Sequence, residues 1–389
     1  MTGARKLFDV PQDVAYFNCA NLAPRLHSVT QAGLAALHRM ASPWTVGAAD
    51  WFSGAEELRG LFAELVNATP NHVALVPSVS YGIAVAAANL AVERGSNIIV
   101  LDQQYPSNVY AWRRVCTTNH AKLRVVLRSG DRPLTDALLE RVDDRTAVIA
   151  VPHCHWTDGE SLDLVKVGAA ARKVGAALVV DASQSLGALP LDVAEVRPDF
   201  LVTVGYKWLL GPYGLAYLYV DEKWHDKGRP IEESWLTRAR ADDFTRLVDY
   251  VEDYRPGARR FDAGEFPQFI SVPMACAALS QLLEWGVENI QATLQELTRY
   301  IAQRAEQLGF APSRMAERAG HFLALDLPVG LEQSLGGELA AQGIHVAVRG
   351  SKIRIAPHLH VTDADIERLL KGLAAQAGRR TEEASHHAT

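Results

Sequence analysis

The sequence predicts an α/β protein: a mostly parallel seven-stranded sheet between helices, followed by a smaller C-terminal α+β domain. Two observations carry this. From Val73 to Val220, short runs rich in Val, Ile and Leu alternate with Ala-rich amphipathic stretches. Each run is apolar on consecutive positions, which is how a strand buried on both faces reads. After about Asp221 the alternation stops, and long helical patterns with a few short strands take over.

The strands are expected at Val73–Val76, Ile98–Leu101, Leu123–Leu127, Ala147–Val151, Ala177–Val180, Phe200–Val204 and Leu215–Val220. Tyr81–Ala91, Leu134–Val142 and Leu164–Val174 have the helical period between them, which argues for parallel pairing with helices on both faces. Lys223–Arg260 is charged and irregular. Ser271–Glu284 and Glu288–Leu308 read as long helices, Phe322–Leu327, Val346–Val348 and Ile353–Ala356 as strands, and Asp363–Gln376 as a closing helix. The division expected is a leading segment 1–20, a large domain 21–265, a small domain 266–377, and a polar tail 378–389 predicted to be disordered. No internal repeat is present.

Composition bounds the function. With 39 basic and 45 acidic residues the net charge is −6, a poor electrostatic match for nucleic acid. No apolar window is long enough to span a membrane, and the first residues lack a secretory pattern, so no membrane partner is expected. The four cysteines, Cys19, Cys116, Cys154 and Cys276, are scattered without metal-ligand spacing, which suits a reducing cytoplasm and predicts no metal site.

In an open parallel sheet, ligands bind beyond the carboxyl ends of the strands. Asp181-Ala-Ser-Gln184 follows the fifth run, and Gly205-Tyr206-Lys207-Trp208 follows the sixth. A lysine amine condenses with an aldehyde to form a Schiff base, and a carboxylate keeps a pyridine nitrogen protonated; pyridoxal 5'-phosphate (PLP) needs both. Taken alone, Asp181 reads more readily as a helix cap and Lys207 as a surface lysine. Lys207, however, sits in an apolar run with Trp208, Leu209 and Leu210. Pro77-Ser78-Val79-Ser80 follows the first run and opens a helix whose N–H groups suit a phosphate. Tyr105, after the second run, reads either as a turn tyrosine beside Pro106 or as an aromatic that stacks on the pyridine face. His153, His155 and Trp156 follow the fourth run and are expected to line a pocket rather than hold a metal.

Together with Arg354-Ile-Ala-Pro357, these motifs resemble the fold type I PLP enzymes, and within them the class V aminotransferase group of cysteine desulfurases, kynureninases and isopenicillin N epimerase-like proteins. The resemblance runs from Tyr16 to about Leu370. It implies that Lys207 carries the cofactor, Asp181 pairs with the ring nitrogen, and Gln184 meets the ring oxygen. It also implies that Ser78, Val79 and Ser80 cradle the phosphate with help from Thr203 and Tyr206. Tyr105 falls in a stretch similar to the stacking segment of kynureninases, where desulfurases carry a histidine. Arg354 would bind the substrate α-carboxylate. Asn18 and Asn21 would face the substrate, and His155, Trp156, His358 and His360 would touch its side chain. Arg25, Arg349 and Lys352 are candidates for a second carboxylate. Arg260–Pro267 resembles a segment that reaches the partner's phosphate in family dimers, but Glu265 replaces the desulfurase hydroxyl residue.

Desulfurases carry a nucleophilic cysteine just before the carboxylate-binding arginine, and Gly343–Arg354 here contains none. The resemblance therefore implies a PLP-dependent enzyme acting on a small free amino acid, as a lyase that breaks a C–S or C–C bond of the substrate's side group without a cysteine persulfide. An aminotransferase or an epimerase is the alternative, and a homodimer is expected.

Overall fold

The structure is a computed structural model that describes residues 4–128, 132–313, 317–328, 331 and 334–387, with side chains as far as 377. In chain order its strands and helices are β1 (Ala15–Tyr16), α1 (His27–Met40), α2 (Asp50–Leu65), β2 (Val73–Val76), α3 (Val79–Asn89), β3 (Asn97–Leu101), α4 (Tyr110–Asn119) and β4 (Lys122–Val126). Then come α5 (Leu134–Leu139), β5 (Thr146–Pro152), α6 (Leu164–Val174), β6 (Ala177–Asp181), α7 (Val193–Val196), β7 (Phe200–Val204) and β8 (Ala216–Val220). The C-terminal part holds α8 (Ser271–Trp285), α9 (Val287–Gln307), β9 (Leu323–Asp326), α10 (Leu335–Ala341), β10 (Ile344–His345), β11 (Ala347–Arg349), β12 (Lys352–Ile355) and α11 (Asp363–His387).

The central sheet is seven-stranded in the order β2-β8-β7-β6-β5-β3-β4. The pairs β7–β6, β6–β5, β5–β3 and β3–β4 are parallel, while β8 runs against both β2 and β7. One face packs Val76, Val100, Val202 and Val204 against α3 and α4. The other packs Leu75, Ile149, Val180 and Leu201 with residues of α1, α2, α6 and α8. Gly82 lets α3 lie close on β7, since a Cβ there would come within 2.7 Å of Val202 Cγ2. A buried ion pair, Arg59–Asp262 at 2.5 Å, ties α2 to the segment beyond the irregular 223–260 stretch, and Asp262 also accepts from the Leu75 amide.

The boundary expected at 265/266 falls elsewhere. Helix α8 packs Ala275, Leu279 and Leu282 into the large-domain core, not with the small domain. Its apolar face is legible in the sequence; which surface it covers is not. The small domain is the antiparallel sheet β11-β12-β9 with Ile301 and Ala305 of α9 and Leu369 and Leu373 of α11. The leading segment joins it: β1 pairs with β10, and Asn18 bridges to Ala356. The backbone of α11 continues as helix to His387, beyond the point at Gly378 where the sequence predicts order to end.

Candidate active site

Lys207 and Asp181 meet at neighbouring strand ends. Asp181 is the last residue of β6, and Lys207 lies on the tight turn after β7, where Leu210 N–H donates to the Lys207 carbonyl at 3.0 Å. Trp208, Leu209 and Leu210 anchor that turn in the core and leave Lys207 only 8% exposed. Burial lowers the Lys207 amine to about 8; the Asp181 charge opposes the fall and Arg354 adds to it. Burial raises the Asp181 carboxyl, while the Ser183 amide, 3.0 Å away, and Lys207 pull it back. Both groups line a cleft of about 280 Å³.

The other end of the cleft is the start of α3. Ser78 caps the helix by accepting from the Tyr81 amide at 3.2 Å, and its Oγ lies 2.9 Å from Ser80 Oγ. Ser78, Val79 and Ser80 line the cleft, so the α3 N-terminus presents hydroxyls and N–H groups together. Tyr105 lies with its ring centroid 5.5 Å from Lys207 Nζ, and Tyr206 at 5.9 Å.

Thr203 does not reach the cleft. Successive strand residues point to opposite faces, and on β7 it is Val202 and Val204 that share the α3 side. Thr203 is fully buried on the opposite face, and Val204 lines the cleft in its place. Gln184 is largely committed: its amide donates to the Ala20 carbonyl at 2.9 Å and accepts from the Trp208 indole at 3.2 Å. One amide hydrogen remains for a ligand oxygen.

Arg354, on β12, reaches the same region from the small domain. Its guanidinium donates to the Trp156 carbonyl at 2.9 Å and to Asn18 Oδ1 at 3.5 Å, and its buried Nε has no partner. Burial lowers it to about 10, with the charge of Arg349 acting the same way. Trp156 stands edge-on to Tyr105 at 5.6 Å and donates its indole N–H to the Gln103 carbonyl. Asn18, Trp156, Arg354 and Tyr105 thus converge although they come from four distant parts of the sequence.

The histidines behave differently from expectation. His155 is fully buried, with one ring nitrogen 3.1 Å from the Asp102 carbonyl and the other 2.7 Å from Thr157 Oγ1 and 3.0 Å from Arg128; it locks two loops together and has no free edge. His358 and His360 do not face the cleft. His358 packs among Phe8, Trp208 and Trp285, and His360 against Phe8 and Tyr16 with one nitrogen 2.8 Å from the Tyr16 carbonyl. Their closeness to Arg354 in sequence does not carry over, because the backbone turns inward after β12. Asn21 is exposed, and Tyr16 donates to the Leu22 carbonyl beside it at 2.6 Å. Arg25 is spent on the Gly211 carbonyl at 3.1 Å, and Arg260 on the carbonyls of Asp226 and Gly228.

Ser183, Ser107, Val204 and Tyr213 also line the cleft, and sequence reasoning missed them. Strand alternation would have found Val204. Tyr213 is 70% exposed and lies tilted against Tyr206 with ring centroids 4.6 Å apart, and nothing in its sequence context signals this.

These residues fit PLP. The buried Ser183 hydroxyl beside Asp181 has no partner, the α3 N-terminus offers a phosphate seat, and a buried lysine amine lies near a buried carboxylate. Among the described residues no cluster of His, Cys, Asp or Glu is placed to hold a metal, and no helix is long and apolar enough to cross a membrane. All four cysteines are free and buried, and none lines the cleft.

Comparison with known proteins agrees. A Bacillus subtilis protein described as an uncharacterized aminotransferase, YcbU, is 31% identical over 82% of this chain and 83% of its own length. The isopenicillin N epimerase of Streptomyces clavuligerus is 26% identical over 83% of this chain and 84% of its own, and a Bacillus cereus kynureninase is 26% identical over 72% and 68%. Among solved structures, a mutant of C-DES with glycine covalently linked to its PLP cofactor superimposes with a TM-score of 0.86 at 19% identity, covering 95% of this chain and 98% of that one. The apo cysteine desulfurase of Thermococcus onnurineus gives 0.83 at 19% identity, over 96% and 97%. The fold is therefore that of the fold type I PLP enzymes. The aminotransferase class-V family model matches residues 25–366, and with the cleft assembled as it is, the protein is a PLP-dependent enzyme that belongs to the class V aminotransferase family.

Proposed function

We propose that the protein is a lyase that cleaves a C–S or C–C bond in the side chain of a small free amino acid without forming a cysteine persulfide. One observation carries the reading: the cleft joins Lys207, Asp181 and the α3 N-terminus, has Arg354 and Asn18 beside it, and contains no thiol. Cys154, the cysteine whose charge would be felt by Lys207, is fully buried and donates to the Gln184 carbonyl, and burial pushes its thiol up out of the nucleophilic range.

In this reading Lys207 is the residue that bonds the cofactor and Asp181 holds the ring nitrogen. Ser78, Val79 and Ser80 hold the phosphate, with Tyr206 beside them, and Tyr105 covers the ring. PLP, when bound, supplies the electron sink for bond breaking at Cα. Arg354 holds the substrate carboxylate by a paired, charge-assisted contact, and Asn18 keeps the guanidinium in plane. Lys207, with an amine near 8, removes the Cα proton and returns a proton to the departing side-chain atom. Trp156 closes the side-chain end against water. A site near the Tyr105 and Tyr213 edge, both well exposed, suits completion by a second copy of the protein, and free cysteines suit a reducing compartment such as the cytoplasm.

The names of the YcbU and epimerase relatives favour a second reading, an aminotransferase or epimerase. Product analysis separates the readings. Release of pyruvate or alanine from a panel of amino acids supports the lyase; stoichiometric amino transfer to a 2-oxo acid, or inversion at Cα alone, would replace it.

A further inference from the structure

The chain entering β9, residues 317–322, folds over the loop that follows β5. The Ser161 amide donates to the Glu317 carbonyl at 3.0 Å, and the Ala319 amide to the Gly159 carbonyl at 2.9 Å. Thr298 Oγ1 of α9 donates to the Gly320 carbonyl at 2.6 Å, and Phe322 lies so close to Gly159 that a Cβ there would come within 2.7 Å of it. Held in this way, two neighbouring residues of the small domain reach the site. Phe322 has its ring centroid 5.7 Å from the Arg354 guanidinium carbon. His321 reaches the turn at the end of β6, which carries Asp181.

His321 is fully buried, and its Nε2 lies 2.6 Å from the Gln184 carbonyl. A carbonyl only accepts, so Nε2 carries the proton and donates. The same carbonyl accepts from Cys154 Sγ at 3.0 Å, which uses both of its lone pairs. The His321 ring also stands edge-on to the indole of Trp208, the residue after Lys207, at 4.5 Å. Ser183 precedes Gln184; its amide donates to the Asp181 carboxylate at 3.0 Å, and its unpartnered hydroxyl lies beside the cleft that Ser183 and Asp181 both line. A shift of the Gln184 carbonyl would therefore carry the Ser183 amide off Asp181. The imidazole is a costly way to fill this place, because its Nδ1 is buried without a partner. A phenylalanine of nearly the same shape would fill the space without that cost. Among the described residues the one hydrogen bond the imidazole makes is the bond to Gln184.

We propose that His321 is a positioning residue: from the small domain it pins the Gln184 carbonyl and so holds the Asp181–Gln184 turn in register with the ring of bound PLP. It acts through that turn and does not line the cleft itself. The proposal rests on the reading of Asp181 as the partner of the ring nitrogen.

The test uses the full-length protein, stripped of PLP and titrated back with it. Half-saturation is read from the visible band, and the fixing of the ring from the visible circular dichroism at saturation. His321→Phe keeps the ring contact with Trp208 and removes the donor. It is expected to raise PLP half-saturation about fivefold and to weaken the dichroism. His321→Gln restores a side-chain N–H and is expected to bring half-saturation back to within about twofold of the wild type. His321→Leu replaces the phenylalanine variant if that one does not fold, with the same rise expected. Wild-type half-saturation and dichroism in His321→Phe overturn the proposal, even where urea unfolding shows a loss of stability. So does a glutamine variant as impaired as the phenylalanine one. Asp181→Ala is the separate control: if it leaves both readouts unchanged, the cofactor ring does not rest on this turn, and the Asp181 reading fails and takes the inference with it.

Discussion

Arg354 Nη2 and Asn18 Oδ1 lie 3.5 Å apart although 336 residues separate them in sequence. The contact exists because the leading segment pairs with the small domain, through β1 on β10 and Asn18 on Ala356, before it enters the cleft. It leaves the guanidinium with a fixed plane and a free, buried Nε.

If that guanidinium holds the substrate carboxylate, Arg354→Gln raises half-saturation for every amino-acid ligand by about 10- to 100-fold, since a hydrogen bond to a charged group contributes about 1.5–3 kcal/mol. Arg354→Lys recovers part of the loss, and Asn18→Ala costs about threefold. The PLP absorption band persists in all three variants. Unchanged half-saturation in Arg354→Gln removes Arg354 from the site.

Lys207→Ala abolishes the visible band of the bound cofactor. In the wild type, capture of PLP by the apoprotein needs the neutral amine. The lowered Lys207 value means that the capture rate climbs as pH rises through about 8, not near the ordinary 10.5. Stopped-flow growth of the band against pH measures this, and a midpoint above 10 would contradict the burial argument.

Five buried imidazoles set the acid limit of the fold. Burial holds His153 and His358 at about 3 and His155, His321 and His360 at about 4, against an ordinary 6.5. Below 6.5 the unfolded state takes up protons that the folded one refuses. Stability is therefore intact above 6.5 and falls as pH drops toward those folded values, by about 1.4 kcal/mol per pH unit for each histidine. Urea unfolding between about pH 7 and pH 5 should show the slope. Neither ring nitrogen of His358 has a partner, so His358→Phe should flatten the slope by one histidine's share. An unaltered slope contradicts the assignment.

Asp262→Ala takes from the fully buried Arg59 its two-pronged carboxylate partner, leaving only Glu56 at 3.3 Å and the Val73 carbonyl, and it also strips the Leu75 amide of its acceptor. A loss of about 3–5 kcal/mol is expected by chemical denaturation. The double variant Arg59→Met with Asp262→Leu loses less than Asp262→Ala alone. If the double variant is the weaker of the two, the pair stabilises the fold outright.

The sheet was legible because its strands, the exposed edge strand β4 apart, are buried on both faces and so read as apolar runs, as in Ala177–Asp181 and Phe200–Val204. Lys207, Asp181 and the Ser78–Ser80 turn were legible for a related reason: they occupy the ends of such runs. What stayed hidden depends on which way a residue faces. Thr203 and Val204 are adjacent, and only the pleat decides which one meets the cleft. His358 and His360 follow Arg354 closely in sequence but are carried into an aromatic cage by the turn after β12. Helices α1, α2 and α4 went unread because their apolar stripes are interrupted by Gly, Arg and Thr. The pairing of Asn18 with Arg354 spans nearly the whole sequence, and no local pattern encodes it.

The seating of residues 15–18 on the small domain has a mechanical consequence. Any swing of that domain away from the sheet carries Asn18 and Arg354 together, as parts of one jaw, while Lys207 and Asp181 stay on the anvil. A substrate gripped by its carboxylate would travel with the jaw, so closing it and delivering the Cα proton to the lysine become a single movement.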